Sequence, residues 1–201
     1  KRAVYAFASL DSIPLEPHFR RARQNGEVDD EPHDEGTFLL ALQAAAWRVP
    51  FLPTRVGLGS DLLRLNPKLT VFTSPVGDPP EELVAVPAFE LDAAICHLNV
   101  GDARGNAAFL GPDLYFDDLF LRAAPANRFV SVERVVATEE LAAAAGTELR
   151  LRISRLSVDG VVEAPGGAAF TSCVPEYDRD EALQKRYAST PWEEFAEEWL
   201  A

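Results

Sequence analysis

Apolar positions recur at helical spacing after Asp34: Phe38, Leu42 and Ala45 form one stripe, with Ala41 and Ala44 beside it. Little that is polar interrupts the run before Arg48, so this helix is expected to be buried on most of its sides. Asp34 suits the N-cap, because its short carboxylate can accept an orphan amide of the first turn, and Glu35 and Gly36 open the helix. Pro50 lacks the amide a further turn would use and marks the end. Phe51-Leu52 then reads as a short strand, and Arg55 projects just ahead of a glycine-rich turn, Gly57-Leu58-Gly59-Ser60. Glycines there free the backbone amides to converge on an oxyanion or a phosphate. A carboxylate, a guanidinium and a set of amides are therefore delivered by one short unit.

Elsewhere short apolar runs alternate with amphipathic ones. Residues 3–7, 68–73, 83–88, 129–133 and 158–163 predict strands, and the near-continuous apolar run 91–99 has the character of a central parallel strand. Segment 16–24 predicts a short helix, and 62–66 a helical turn. Pro112-Asp113 opens a helix with Phe116, Leu119, Phe120 and Ala123 on one face. Thr138, followed by Glu139 and Glu140, is expected to cap another, reaching Ala145. Segment 178–188 is amphipathic, and Thr190-Pro191-Trp192-Glu193 has the form of a capping box before a stripe of Trp192, Phe195 and Trp199. The acidic stretch 27–34, broken at Pro32, reads as an exposed connection. This alternation predicts an α/β fold: one domain, three layers, a mostly parallel sheet and helices on both faces.

A length of 201 residues with 47% hydrophobic and 25% charged side chains suits one globular domain with a real core. The formal charge of −13 argues against nucleic acid or an anionic membrane as partner, since both require a basic face. It does not forbid an anionic ligand held by local arginines and amides; Arg20, Arg21 and Arg23 form one such group, equally readable as a solvated helix face. Cys96 and Cys173 lie far apart without a CxxC pair, which points to a reduced, cytoplasmic chain. No apolar run approaches the ~20 residues of a membrane span. The chain opens at Lys1-Arg2 directly before an apolar run and contains no methionine, as expected if an N-terminal segment is missing.

Val49-Pro50-Phe51-Leu52-Pro53-Thr54-Arg55, followed by Gly57-Leu58-Gly59-Ser60-Asp61, resembles the α subunit of the CoA-transferase family, in particular its glutaconate CoA-transferase branch. Asp34-Glu35-Gly36 and the upstream Ser9-Leu10-Asp11-Ser12-Ile13-Pro14 resemble more closely a sister group, the α subunits of acyl-CoA hydrolases that open the last steroid rings. Asp102-Ala103-Arg104-Gly105-Asn106, Tyr115-Phe116-Asp117-Asp118, Ser131-Val132-Glu133-Arg134-Val135-Val136, Val162-Glu163-Ala164-Pro165-Gly166-Gly167-Ala168 and Thr190-Pro191 follow in the family's order, so the resemblance covers nearly the whole chain. One departure is Ala169, where many relatives carry a histidine.

The resemblance implies a heteromer with a β subunit, an acyl-CoA thioester as substrate, no bound cofactor and no metal. In the transferases the catalytic glutamate belongs to the β subunit. In the hydrolase-like branch Glu35 would be the general base, with Arg55 and the amides of Gly57, Gly59 and Ser60 stabilising a thioester enolate, and Asp102 and Asn106 lining the cleft. Read without the family, the same residues have plainer roles. Glu35 is a first-turn carboxylate favoured by the helix dipole, Arg55 an ion-pair partner, the glycines a simple turn, and Asp102 and Asn106 braces of a loop. His97 reads as a satisfied core histidine, His18 and His33 as exposed, and Cys96 and Cys173 as small core residues. A non-catalytic scaffold subunit is a further reading.

Overall fold

The computed structural model describes residues 1–10, 12, 13, 15–112, 117–147 and 150–199. Three sheets carry the chain. Strand β1 (Arg2–Tyr5) runs parallel to β2 (Asp29–Pro32), connected through helix α1 (Pro17–Gln24). Helix α2 (Glu35–Trp47) leads into an antiparallel sheet of β3 (Phe51–Thr54), β4 (Thr70–Thr73) and β5 (Glu82–Pro87), in the order β3-β5-β4, with the short helix α3 (Leu62–Leu65) before β4. The third sheet contains β6 (Ala94–Asp102), β7 (Ala107–Ala108), β8 (Arg128–Val136) and β9 (Gly160–Glu163), in the order β7-β6-β8-β9; β6, β8 and β9 are parallel. Helices α4 (Asp117–Ala123) and α5 (Thr138–Ala145) connect its parallel strands, and α6 (Glu181–Ser189) and α7 (Trp192–Trp199) follow.

The period-2 pattern of β6 explains where the main core sits. Ala94, Cys96, Leu98 and Val100 all point to one face and are buried. There they meet Val130 and Val132 of β8, Leu121 of α4, and Leu141 and Ala145 of α5. Both cysteines are buried and form no disulfide. On the opposite face, Ile95 and Phe129 sit side by side in register and are 77% and 45% exposed.

Helix α2 is buried as its composition predicts, with Ala41, Leu42 and Ala44 at 0% exposure. Ala41 packs with Val84 and Val86 of β5, and Leu42 and Ala45 pack with Ala123 of α4. Its end comes before Pro50: Arg48 turns left-handed at φ 58°, and its guanidinium crosses to the Ala123 carbonyl at 2.8 Å.

Several expectations change. Residues 27–34 are not simply an exposed connection, because Asp29–Pro32 forms β2. The strand can carry Glu31 inward because Arg2 and Lys68 both pair with that carboxylate. Residues 51–87 pair antiparallel, as short connections allow, whereas parallel neighbours need a crossover. His33 is 6% exposed rather than solvent-facing, and His18 is half-buried with Nε2 2.8 Å from the Tyr187 carbonyl. Ala137, not Thr138, is the N-cap of α5; the Thr138 hydroxyl instead bonds Asp102. The expected start of α4 at 113–116 lies outside the described residues.

At the C-terminus Phe195 is 2% exposed and stands among Phe170, Tyr187 and Trp199. Phe195→Ala should lower unfolding stability by about 3–5 kcal/mol, read from urea titration. Trp192→Ala, at a side chain 47% exposed, should cost much less; equal losses would refute this placement of the core.

Candidate functional site

The head of α2 and the exit of β3 meet at Gly36. A Cβ on that glycine would lie 3.1 Å from Asp34 Oδ1 and 3.2 Å from Val56 Cγ1, so a side chain would push the two elements apart. Asp34 caps the helix by accepting the Thr37 N–H at 2.9 Å, and this fixes the first turn. Glu35 and Arg55 flank the Gly36–Val56 contact, and both are exposed. Arg55 donates through Nε to Glu81 Oε2 at 2.8 Å, with Nη2 2.6 Å from the same oxygen. Such an exposed pair contributes little to stability, and Nη1 is left without a bond among the described residues.

The glycine turn is narrower as a donor set than its sequence suggests. Gly57 and Gly59 adopt φ +90° and +75°, the region that favours glycine. The Leu58 and Ser60 amides donate inside the turn, to Arg55 O at 3.2 Å and Gly57 O at 3.1 Å. The Ser60 hydroxyl also donates to Gly57 O, at 2.8 Å. Ser60 therefore shapes the turn, and the amides left over are those of Gly57 and Gly59.

Asp102 ends β6 and Asn106 precedes β7 in the third sheet, and the two engage one another. Asp102 is 0% exposed. Its Oδ1 accepts the amides of Arg104 and Asn106 at 2.9 and 3.0 Å, and Oδ2 accepts Asn106 Nδ2 at 2.7 Å. Asn106 Oδ1 in turn accepts the Arg155 amide at 3.1 Å. These are bracing bonds: they close the loop after β6 and tie it to the chain before β9. Burial, the largest single influence, pushes the Asp102 carboxyl up, but donors from Asn106, Thr138 and Arg104 outweigh it and hold it below its ordinary value.

A second polar cluster escaped sequence reasoning beyond the reading of His97 as satisfied. His97 Nδ1 is 2.8 Å from Ser131 Oγ, and Nε2 is 2.7 Å from Glu133 Oε1. Glu133 also accepts the Tyr177 hydroxyl at 2.6 Å and the Gly166 amide at 2.8 Å. The alternation His97, Asn99 on β6 and Ser131, Glu133 on β8 put these groups on one face and was the available signal. His97, Glu133 and Cys173 are the group among the described residues that could approach a metal ion, with ligand atoms within 4.8 Å of one another. Both Glu133 oxygens already have donors, however, and burial pushes the Cys173 thiol up to about 11, disfavouring a thiolate. A cavity of about 130 Å³ beside His97, Asn99 and Cys173, and one of about 490 Å³ between β1 and α1 lined by Tyr5, Phe19, Arg20 and Arg23, are separate from Glu35 and Arg55.

Asp102 gives a signed prediction. Its folded value is depressed, so its contribution is complete above the ordinary 3.8 and disappears as pH falls through the folded value. Thermal unfolding should find Asp102→Asn less stable than wild type at pH 7, the difference shrinking toward pH 2. A constant difference across that range would refute the bracing role of the ionised form.

Comparison with known proteins adds the family. The coenzyme A transferase profile matches residues 1–164. Over 211 residues the chain is 48% identical to the protein named as the IpdA subunit of a cholesterol ring-cleaving hydrolase in Mycobacterium tuberculosis, covering 100% of this chain and 72% of that one. The protein of the same name from Rhodococcus jostii is 50% identical over 210 residues, covering 100% and 70%. Among solved structures, glutaconate coenzyme A-transferase from Acidaminococcus fermentans matches with a TM-score of 0.85 at 25% identity, over 99% of this chain and 68% of that one. A profile match over most of its length, two relatives near half identity and a shared mixed α/β architecture establish that this chain belongs to the coenzyme A transferase family.

Proposed function

We propose that the chain is the α subunit of a heteromeric, cytoplasmic acyl-CoA hydrolase that opens a steroid-type ring by cleaving a carbon–carbon bond. The observation that carries this reading is the 48% and 50% identity of the chain to the two ring-cleaving hydrolase subunits, and the close approach of Gly36 and Val56, the chain neighbours of Glu35 and Arg55, supports it. Glu35 takes a proton from water as the water oxygen attacks a ring ketone β to the thioester. The bond from that carbon to the thioester α-carbon breaks, and its electron pair forms the thioester enolate. The ketone carbon becomes a carboxylic acid. Arg55 and the Gly57 and Gly59 amides stabilise the enolate oxygen, and the proton held by Glu35 returns to the α-carbon. A β subunit of the same family covers the exposed Glu35–Arg55 face, excluding water and strengthening these charge interactions. Coenzyme A enters as part of the substrate, and the scheme uses no metal.

CoA transfer through a glutamate on the partner is the second reading, favoured by the fold match to glutaconate coenzyme A-transferase. Its 25% identity weighs less than the 48–50% of the hydrolase subunits. The complex with its partner, given a ring-bearing acyl-CoA in water labelled with heavy oxygen, should place label in the new carboxylate and leave no glutamyl–CoA adduct. An adduct without ring opening would overturn the hydrolase reading in favour of transfer, and neither product would leave a scaffold.

Glu35→Gln should lower kcat by about 10²–10⁴-fold with the fold intact by circular dichroism. Arg55→Ala should cost about 10²–10³-fold. Turnover by Glu35→Gln at the wild-type rate would remove Glu35 as the base.

A further inference from the structure

The buried side chains behind Glu35 form a hydrogen-bond chain whose direction can be worked out. Asn66, which follows α3, is fully buried. Its Oδ1 accepts the Lys68 amide at 3.2 Å, which fixes the amide's orientation. Nδ2 therefore faces the Pro32 carbonyl and His33 Nε2, each at 3.1 Å. An NH2 group can only donate, so Nε2 must accept, and the ring proton of a neutral His33 belongs on Nδ1. From there it is donated to Thr37 Oγ1 at 3.2 Å. The Thr37 hydroxyl passes its own hydrogen to Asp34 O at 3.2 Å, and the Thr37 amide donates to Asp34 Oδ1. The chain thus runs one way, from α3 through the end of β2 into the first turn of α2, on both sides of Glu35.

We propose that neutral His33 is a positioning residue for Glu35, holding the head of α2 in place through the directed chain Asn66, His33, Thr37, Asp34. The proposal rests on the role given to Glu35 above. A second proton on the ring would sit on Nε2, facing the Asn66 NH2, and would draw the ring toward Glu31 Oε1, now 3.4 Å away. The charged groups around the ring are Glu31 on β2, Arg2 on β1 and Lys68 after α3, both paired with Glu31, and Asp34 and Glu35 at the head of α2. The edges and faces of Phe38 and Phe89 complete the enclosure, with centroids 6.1 and 5.3 Å from the imidazole. Burial pushes His33 below its ordinary value, against the opposing pull of Asp34 and with the help of Lys68. Neutrality at pH 7 follows, and protonation on acidification loosens the turn that carries Glu35.

Two measurements on the complex with its partner test this. Long-range proton–nitrogen NMR on nitrogen-15-histidine protein reports the tautomer directly; the chain has three histidines, and His33→Gln identifies the signal. An Nδ1–H tautomer at pH 7 is expected, and an Nε2–H or doubly protonated ring would overturn the chain. The second is the pH profile of ring opening. His33→Gln, which cannot titrate, should lower kcat by about 10- to 100-fold with little change in KM and flatten the acid limb of kcat. If Glu35→Gln is inactive while His33→Gln keeps both kcat and the full limb, the positioning role alone is overturned. If Glu35→Gln is fully active, the base assignment falls, and this role falls with it.

Discussion

The first turn of α2 depends on how closely the helix approaches the exit of β3. A Cβ on residue 36 would meet Val56 Cγ1 at 3.2 Å and Asp34 Oδ1 at 3.1 Å, so glycine there lets the helix and the strand exit meet without displacing either side chain. The approach is held from behind as well. Ala41 and Leu42, both fully buried, set α2 against β5 and α4, and the small size of Ala41, Ala44 and Ala45 lets the helix sit close to both. A backbone anchored along its length and capped by Asp34 leaves Glu35 few ways to move except by its own rotamers.

The other sheet is organised by a different constraint, the burial of polar groups without leaving any unpaired. Asp102 is surrounded by donors from its own loop and from Thr138. Glu133 collects a histidine, a tyrosine and a backbone amide. In each case the bonds replace the water lost on burial, and an incomplete set would cost the full desolvation of a carboxylate. The same donors lower the Glu133 carboxyl, although burial, the largest influence, pushes it up. Asp102 at the end of β6 and Glu133 within β8 thus tie their strands to the loops that donate to them.

What could be read from the sequence was what depends on neighbours in the chain. The burial of α2 followed from its alanine and leucine spacing, the Asp34 cap from residue type, and β6 from a continuous apolar run. The misread features depend on residues far apart. The acidic segment at Asp29–Pro32 became a strand because Arg2 and Lys68 converge on Glu31, and no local pattern announces a cation 29 or 37 positions away. His33 looked solvent-facing beside a proline, yet Asn66, Phe38 and Phe89 enclose it. Of the candidate site, the structure brings together the chain neighbours of Glu35 and Arg55, Gly36 and Val56, and leaves the Gly57 and Gly59 amides outside the bonds of their turn. Ser60 serves its own turn, and Asp102 and Asn106 brace a separate loop, a distinction that required knowing which amides were already bonded.

The row formed by Ile95 and Phe129, with Val162 on the adjoining strand at 56% exposure, has a practical bearing. Three large hydrocarbon side chains from three adjacent parallel strands face solvent on the side away from α4 and α5. Several large apolar side chains grouped on one open sheet face are unusual on a protein that lives as a free monomer. Left open, such a face favours self-association of the isolated polypeptide as its concentration rises.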